Sequence, residues 1–175
     1  MRNPERRRPL LSEGDAVGVV APGFAVRKRA LAGGMEALRR MGFRPIPGPH
    51  LYDRQDNLAG RDADRAADLE AMLRDRAVRG IWFARGGFGT ARILGRIPWA
   101  DVAGERKVLV GYSDLTALFA AAGRTRWVCL HGPVVSELGD PSRFHAGSLR
   151  ALLDGDAIEM GIGARNVLRG GRAAG

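Results

Sequence analysis

Cysteine and long apolar runs are the two features that this 175-residue chain most clearly lacks. The single cysteine, Cys129, cannot form an internal disulfide, so the fold does not depend on an oxidising compartment. No stretch approaches the roughly 20 apolar residues of a membrane-spanning helix, and no apolar segment precedes Ser12 as a signal peptide would require. We therefore expect a cytoplasmic protein that does not contact a membrane, with Cys129 as an inert, buried thiol.

Lysine is also scarce. It is found only at positions 28 and 107, so arginine supplies nearly all of the 28 basic residues behind the net charge of +9. The arginines are spread along the chain among Asp and Glu, and only residues 6–8 form a run. Because no nucleic-acid-binding motif or interleaved aromatic residues accompany the basic stretches, the pattern favours a solvated basic surface. A nucleic-acid partner is the alternative, and salt-dependent DNA binding would reveal it.

Histidine occurs three times, and no Cys/His or His/carboxylate spacing typical of a metal site is present. His50 and His145 fall in a predicted loop and a predicted helix, without a partner pattern. The glycine-rich segment at residues 85–89 matches neither the dinucleotide fingerprint nor the P-loop. We therefore expect no metal and no cofactor.

Short apolar segments alternate with amphipathic ones along the chain. Apolar runs predict five strands, at residues 16–21, 44–46, 80–84, 107–111 and 127–130. Apolar spacing and position predict helices over 27–41, 62–75, 90–94, from just after 114 to 122, and over 142–153. This strand–helix order predicts one three-layer α/β domain, with a flavodoxin-like or amidotransferase-like parallel sheet and helices on both faces.

Two glycines, Gly33 and Gly34, lie inside the predicted helix over residues 27–41. Each costs about 1 kcal/mol relative to alanine in a helix. We expect close packing on the sheet to be the reason they are tolerated, and Gly42 to end the helix.

Three candidate site features directly follow predicted strands, whose carboxyl ends are where ligands bind in such sheets. Ser113 lies in a strand-to-helix turn of the kind that exposes a nucleophilic serine, although Leu115 stands where that motif has glycine. Alternatively, Ser113 or Asp114 caps the helix. The segment at residues 85–89 is either a loop that brings backbone amides close to a ligand or a tight turn. His131 is either a base or a hydrogen-bonded structural residue.

Four motifs, in order, carry a resemblance to a known family. Residues 59–69 resemble an A-G-x-D-x-x-R-x-x-D-L motif, residues 85–89 an R-G-G-[YF]-G loop, residues 111–118 a G-Y-S-D-x-T-x-L nucleophile segment, and residues 131–133 an H-G-P motif. Together they resemble the N-terminal domain of the LD-carboxypeptidase family of serine peptidases, which includes muramoyltetrapeptide carboxypeptidases and microcin immunity peptidases.

The resemblance implies roles for individual residues. Ser113 would be the nucleophile, and the backbone amides of Gly87 and Asp114 would form the oxyanion hole. Arg85 and Gly86 would bind substrate. The family's Glu and His come from a C-terminal domain, and the resemblance implies that neither lies in this chain: His131, Glu137 and Glu159 do not match their positions.

The same resemblance implies a domain plan and a function. Residues 1–11 would be a flexible basic N-terminus, 12–160 the domain with the nucleophile, and 161–175 a linker toward an absent C-terminal domain. The complete enzyme would be a cytoplasmic homodimer that cleaves the amide between an L-centre and a terminal D-alanine of murein tetrapeptide in cell-wall recycling, while this chain alone would be a truncated, inactive part. Alternatives are an immunity-type peptidase that cleaves an aminoacyl-nucleotide antibiotic and a non-catalytic ligand-binding domain.

Overall fold

Five short strands form one sheet in the computed structural model, which describes residues 8–104, 106–123 and 125–156. The strands are β1 Ala16–Val20, β2 Arg44–Pro47, β3 Val78–Phe83, β4 Val108–Gly111 and β5 Val128–His131. They lie in the order β2-β1-β3-β4-β5, and every pair is parallel. This is the flavodoxin-like order, so the predicted strands and the predicted parallel sheet are confirmed.

Burial follows position in the sheet. The central strands β1 and β4 are wholly buried, whereas the edge strands β2 and β5 are partly exposed. Both prolines of β2, Pro45 and Pro47, lie on this outer strand, where a missing N–H costs no ladder hydrogen bond. The continuous apolar runs of the sequence therefore mark the strands that are covered on both faces.

Helices cover the two faces of the sheet. Their bounds are α1 Lys28–Arg40, α2 Asp62–Arg74, α3 Thr90–Ile93, α4 Trp99–Val102, α5 Thr116–Ala122, α6 Val135–Leu138 and α7 Ala146–Leu153. One core joins α1, α6 and α7 to one face of the sheet, and a second core joins α2, α3, α4 and α5 to the other. Successive side chains of β3 alternate between the two cores. Trp82 belongs to the first core, whereas Ile81 and Phe83 belong to the second. The three-layer architecture is confirmed.

The helix predictions hold for α1, α2, α3 and α5, and they differ near the end of the described chain. A 3₁₀ turn at Pro141–Arg143 and an extended Phe144 precede α7, so the segment predicted as one helix over 142–153 is split. The sequence does not reveal α4 and α6, because four residues make a single turn and cannot display a helical period.

The glycine pair in α1 packs against α6 rather than against the sheet. A Cβ at Gly34 would overlap the carbonyl of Val135, and one at Gly33 would lie 3.7 Å from the Cα of Gly139. The expectation of sheet packing is therefore wrong: these glycines let the backbones of α1 and α6 approach each other. Gly42, at φ +89°, follows the last turn of α1 and ends the helix as predicted.

Leu10 and Leu11 both donate their amides to the Leu153 carbonyl, at 2.8 and 3.4 Å, and Leu11 is buried. The proposed boundaries at residues 11/12 and 160/161 stay predictions. The proposed linker at 161–175, like residues 1–7 and 157–160, lies outside the described residues.

Among the helices that the structure describes, none is both long and apolar enough to cross a membrane.

Candidate active site

The turn after β4 holds Ser113 in an unusual backbone conformation. Ser113 has φ +66°, in the left-handed region, and its side chain is exposed. A non-glycine residue adopts this conformation at a cost of about 1–2 kcal/mol, and such strain is concentrated at functional sites. A 3₁₀ turn over Ser113–Leu115 then leads into α5. The strand-to-helix turn therefore presents the serine hydroxyl above the carboxyl edge of the sheet.

Neither Ser113 nor Asp114 caps α5. The start of α5 has no side-chain cap, and the Thr116 hydroxyl donates to the Ser113 carbonyl at 2.7 Å. The Asp114 carboxylate instead accepts a hydrogen bond from the Thr90 amide, at the start of α3, at 2.9 Å. The helix-cap alternative is therefore wrong for this turn.

Residues 85–89, here called the Gly-rich loop, lie directly against Ser113. A Cβ at Gly86 would be 3.1 Å from both the Ser113 Cβ and the Tyr112 carbonyl oxygen. Gly87 has φ +120°, and a Cβ there would be 2.5 Å from the Phe24 ring. A side chain at Gly86 would crowd the turn with Ser113, and the backbone conformation at Gly87 strongly favours glycine. The loop therefore lies in close contact with the turn that contains Ser113.

Arg85 joins the Gly-rich loop to the loop that follows β1. Its Nη1 donates to the Ala25 carbonyl at 3.2 Å, and its guanidinium lies 5.7 Å from the centroid of the Phe24 ring. Arg85 is exposed and lines a cleft that also contains Ser113. The arginine is therefore placed where a ligand at the serine would meet it.

The cleft has a volume of about 870 Å³. It lies between the start of α1, the Gly-rich loop, the turn after β4 and the segment that contains α6. Its charged lining residues are Arg27, Arg29, Arg85, Arg143, Glu137 and Asp140. Cations outnumber carboxylates in this set, so the cleft favours an anionic ligand.

One wall of the cleft is a hydrogen-bonded group around Glu137. The Tyr112 hydroxyl donates to Oε1 of Glu137 at 2.8 Å, and the Val134 amide donates to Oε2 at 3.3 Å. Arg143 lies 3.4 Å from Oε1. The hydrogen bond to Glu137, together with burial, raises the pKa of Tyr112. The tyrosine therefore stays protonated and fixed beside Ser113.

His131 and Cys129 both belong to β5. His131 is exposed, pairs in register with Gly111, and its ring centroid lies 5.8 Å from that of Tyr112. The predicted clustering of Ser113, the Gly-rich loop and His131 at one sheet edge is thus confirmed.

Cys129 is half-buried rather than buried, and this burial raises the pKa of its thiol, which keeps it protonated at neutral pH.

A second polar group lies away from Ser113, after β2. His50, Asp53 and Asp64 each place a possible metal-ligand atom within 4.8 Å of the others, beside a hollow of about 470 Å³. Nδ1 of His50 lies 2.9 Å from Asp53, so this histidine does have a partner, contrary to the sequence interpretation. Arg61 forms two hydrogen bonds with Asp64, at 2.7 and 3.1 Å, so a guanidinium already neutralises one of the carboxylates.

Arg65 is a buried residue near the site to which the sequence assigned no role. It lies in α2, its side chain is 1% exposed, and it bonds to the Pro22 carbonyl and to Asp62. Its Nη1 also donates to the Gly89 carbonyl at 3.2 Å. The only sequence signal for it was its place in the motif at residues 59–69, because a buried arginine cannot be told from an exposed one by composition.

Comparisons with known proteins identify the family of this chain. Residues 17–132 match the model of the LD-carboxypeptidase N-terminal domain. A putative carboxypeptidase of Streptomyces coelicolor is 44% identical over 135 residues, which are 74% of this chain and 44% of that protein. A probable murein peptide carboxypeptidase of Bacillus subtilis is 38% identical over 127 residues, 72% of this chain and 40% of that protein.

A solved structure shows the same fold. An MccF-like protein of Bacillus anthracis superposes with a TM-score of 0.70 at 26% identity, over 75% of this chain and 41% of that one. This chain spans less than half the length of both curated relatives. The matched region includes the turn with Ser113, the Gly-rich loop and the motif with Arg65, and on this evidence the chain belongs to the LD-carboxypeptidase family.

Proposed function

We propose that this protein supplies the nucleophile domain of a serine-type LD-carboxypeptidase, which hydrolyses the amide between an L-centre and a terminal D-amino acid of a murein peptide. The observation that carries the proposal is Ser113 at φ +66°, exposed at the end of β4 and packed against Gly86. Family membership and the relative named as a murein peptide carboxypeptidase support the reaction class and the substrate.

The proposed chemistry begins with attack of the Ser113 oxygen on the carbonyl carbon of the scissile amide. The amides of Gly87 and Asp114 would donate to the oxyanion that forms, an interaction whose loss costs about 10²–10³-fold in comparable enzymes. Collapse of the tetrahedral intermediate breaks the C–N bond, and the proton taken from the serine hydroxyl passes to the leaving nitrogen, so that the D-amino acid departs with a free amine. Water then hydrolyses the acyl ester and regenerates the serine.

A proton acceptor is needed for the attack, because a serine hydroxyl is a weak nucleophile near neutral pH. Within residues 8–104, 106–123 and 125–156, no side chain hydrogen-bonds to the Ser113 hydroxyl. We assign the activating His and its orienting Glu to a second domain, as the resemblance implies, so the 175-residue chain by itself would be inactive.

The charge of the cleft supports a substrate rich in carboxylates. Arg27, Arg29 and Arg85 line it, and none of the three forms an ion pair with another of the described residues. A murein tetrapeptide carries several carboxylates, including that of its terminal D-alanine. The arginines would hold this anionic peptide with its last amide in front of Ser113, with Arg85 and Gly86 nearest to the reacting carbonyl.

D-alanine release from murein tetrapeptide tests the function. The assay compares the 175-residue chain, a full-length protein in which its gene continues, and the Ser113→Ala variant of each, with Ser12→Ala as a serine control on the opposite edge of the sheet. We expect the full-length protein and its Ser12→Ala variant to be active, and Ser113→Ala to abolish nearly all release. General-base assistance is worth about 10²–10⁴-fold, so we expect the short chain to be no better than its own Ser113→Ala variant.

Two results would overturn parts of this proposal. Absence of D-alanine release by the full-length protein would exclude the carboxypeptidase function. Robust, Ser113-dependent turnover by the short chain would show that a base such as His131 completes the site. An aminoacyl-nucleotide conjugate is added as a second substrate, because of the similarity to an MccF-like protein. Cleavage of the conjugate alone would favour the immunity-type alternative, and ligand binding without Ser113-dependent turnover would favour the non-catalytic one.

The setting of the reaction is also a proposal. Murein peptides released from the wall would be trimmed in the cytoplasm, as a step of peptidoglycan recycling, and the full-length enzyme would act as a homodimer without a cofactor or metal. Cell fractionation tests the compartment, and light scattering of the full-length protein tests the dimer.

A further inference from the structure

One peptide group of the Gly-rich loop is held from both sides by opposite charges. The carbonyl of Gly89 accepts a hydrogen bond from Nη1 of Arg65 at 3.2 Å. The N–H of the same peptide unit, at Thr90, donates to Oδ2 of Asp114 at 2.9 Å. Because the C=O and N–H of a trans peptide point in opposite directions, the cation and the carboxylate lie on opposite sides of this group.

The cationic side is anchored in the core. Arg65 comes from α2, is almost fully buried, and bonds to Asp62 and to the Pro22 carbonyl in the loop after β1. One guanidinium therefore connects the loop after β1 with the end of the Gly-rich loop. Hydrogen bonds that involve a charged partner are about twice as strong as neutral ones, so this anchor resists movement of the peptide.

The anionic side is anchored at the nucleophile. Asp114 follows Ser113 in sequence, and its carboxylate is directed away from its own helix toward Thr90. The opposite end of the loop touches the same turn, since Gly86 packs on the Ser113 side chain. Gly87 thus lies between two points, Gly86 and the Gly89–Thr90 peptide, that are both fixed to the turn with Ser113.

We propose that Arg65 and Asp114 are positioning residues that clamp the Gly89–Thr90 peptide between them and thereby hold the Gly87 amide at a constant distance from Ser113. The inference rests on the proposed function for its catalytic consequence, but the clamp itself is a property of the fold. A misplacement of about 1 Å at a reacting group can cost about 10²-fold in rate. Loss of the clamp should accordingly lower kcat and leave KM nearly unchanged.

The test compares Asp114→Ala, which removes the acceptor, with Asp114→Asn, whose amide oxygen still accepts from Thr90. Asp101→Asn, at an exposed position of α4, is the matched control. Hydrogen exchange of the 175-residue chain reports on the amides of residues 86–90, and D-alanine release by the full-length protein gives kcat and KM. If Asp114→Ala does not fold, Asp114→Glu replaces it, because the extra methylene displaces the carboxylate.

We expect Asp114→Ala to increase exchange at Gly87 and Thr90 and to lower kcat by about 10–10²-fold, because a misplaced oxyanion donor costs less than a missing one. Asp114→Asn should restore most of the protection from exchange and most of kcat. Asp101→Asn should change neither the exchange nor kcat. Unchanged exchange at residues 86–90 in Asp114→Ala, or no rescue by Asp114→Asn, would overturn the clamp. An inactive full-length wild type would overturn the proposed function instead, while the exchange data would still decide the clamp.

Discussion

Two regions at the carboxyl edge of this sheet use the same chemistry in different surroundings. In α2, Arg65 pairs with Asp62 beneath the Gly-rich loop, whereas Arg61 pairs with Asp64 beside the loop after β2. Both pairs are separated by three residues in sequence, but the side chain of Arg65 is 1% exposed and that of Arg61 is 75% exposed. Burial, and not the pairing itself, distinguishes the arginine that bonds to the Gly-rich loop.

The largest expected effect separates the two arginines. Arg65→Met should lower the free energy of unfolding, because the buried carbonyls of Pro22 and Gly89 each lose a charged donor, at about 1–3 kcal/mol for each unsatisfied group. Asp62 adds little to this loss, because it keeps its ion pair with Arg92. Arg61→Met should change stability little, because an exposed pair is largely replaced by water. Urea unfolding followed by circular dichroism measures both. Equal losses in the two variants would show that burial is not the deciding variable.

A glycine in each region gives a second, smaller contrast. Gly87→Ala should destabilise the protein by about 1–3 kcal/mol, because alanine at φ +120° is strained and its Cβ would meet the Phe24 ring at 2.5 Å. Gly60→Ala, at φ +89° in the loop after β2, meets the Asp53 Cβ at 2.9 Å, on a side chain that is about half exposed. We expect Gly60→Ala to lose less stability than Gly87→Ala, because the exposed Asp53 side chain can move away. Thermal melts of the two variants test this order, and a larger loss for Gly60→Ala would contradict it.

The smallest effect concerns pH at the exposed region. The hydrogen bond to Asp53 raises the pKa of His50, and desolvation opposes this shift. Since the folded-state pKa lies above the unfolded one, the stabilisation is fully present below the unfolded value of about 6.5 and is lost as the pH rises through the folded value. NMR titration of the imidazole should show an elevated pKa that falls in Asp53→Asn. An unchanged pKa of His50 in that variant would show that Asp53 is not the cause of the elevation.

Much of the fold follows from local pattern. Buried strands such as β1 and β4 are continuous apolar runs, and α1 and α2 are long enough to show a helical period. The one-turn helices α4 and α6 give no such signal. The sequence also placed Gly33 and Gly34 correctly in α1. It did not reveal that they pack against α6, because that contact joins residues about a hundred positions apart.

For the site, the sequence by itself determined the order of the strands along the chain. It also determined that Ser113 and Gly87 follow strands directly and that His131 lies at the end of one. A parallel sheet then requires all three to share one edge. Only the tertiary structure decided that Arg65 is buried, that Asp114 bonds to Thr90 rather than to its own helix, and that His50 has Asp53 as a partner. The physical reason is that side-chain direction and burial depend on packing between distant segments, which residue type and local spacing do not specify.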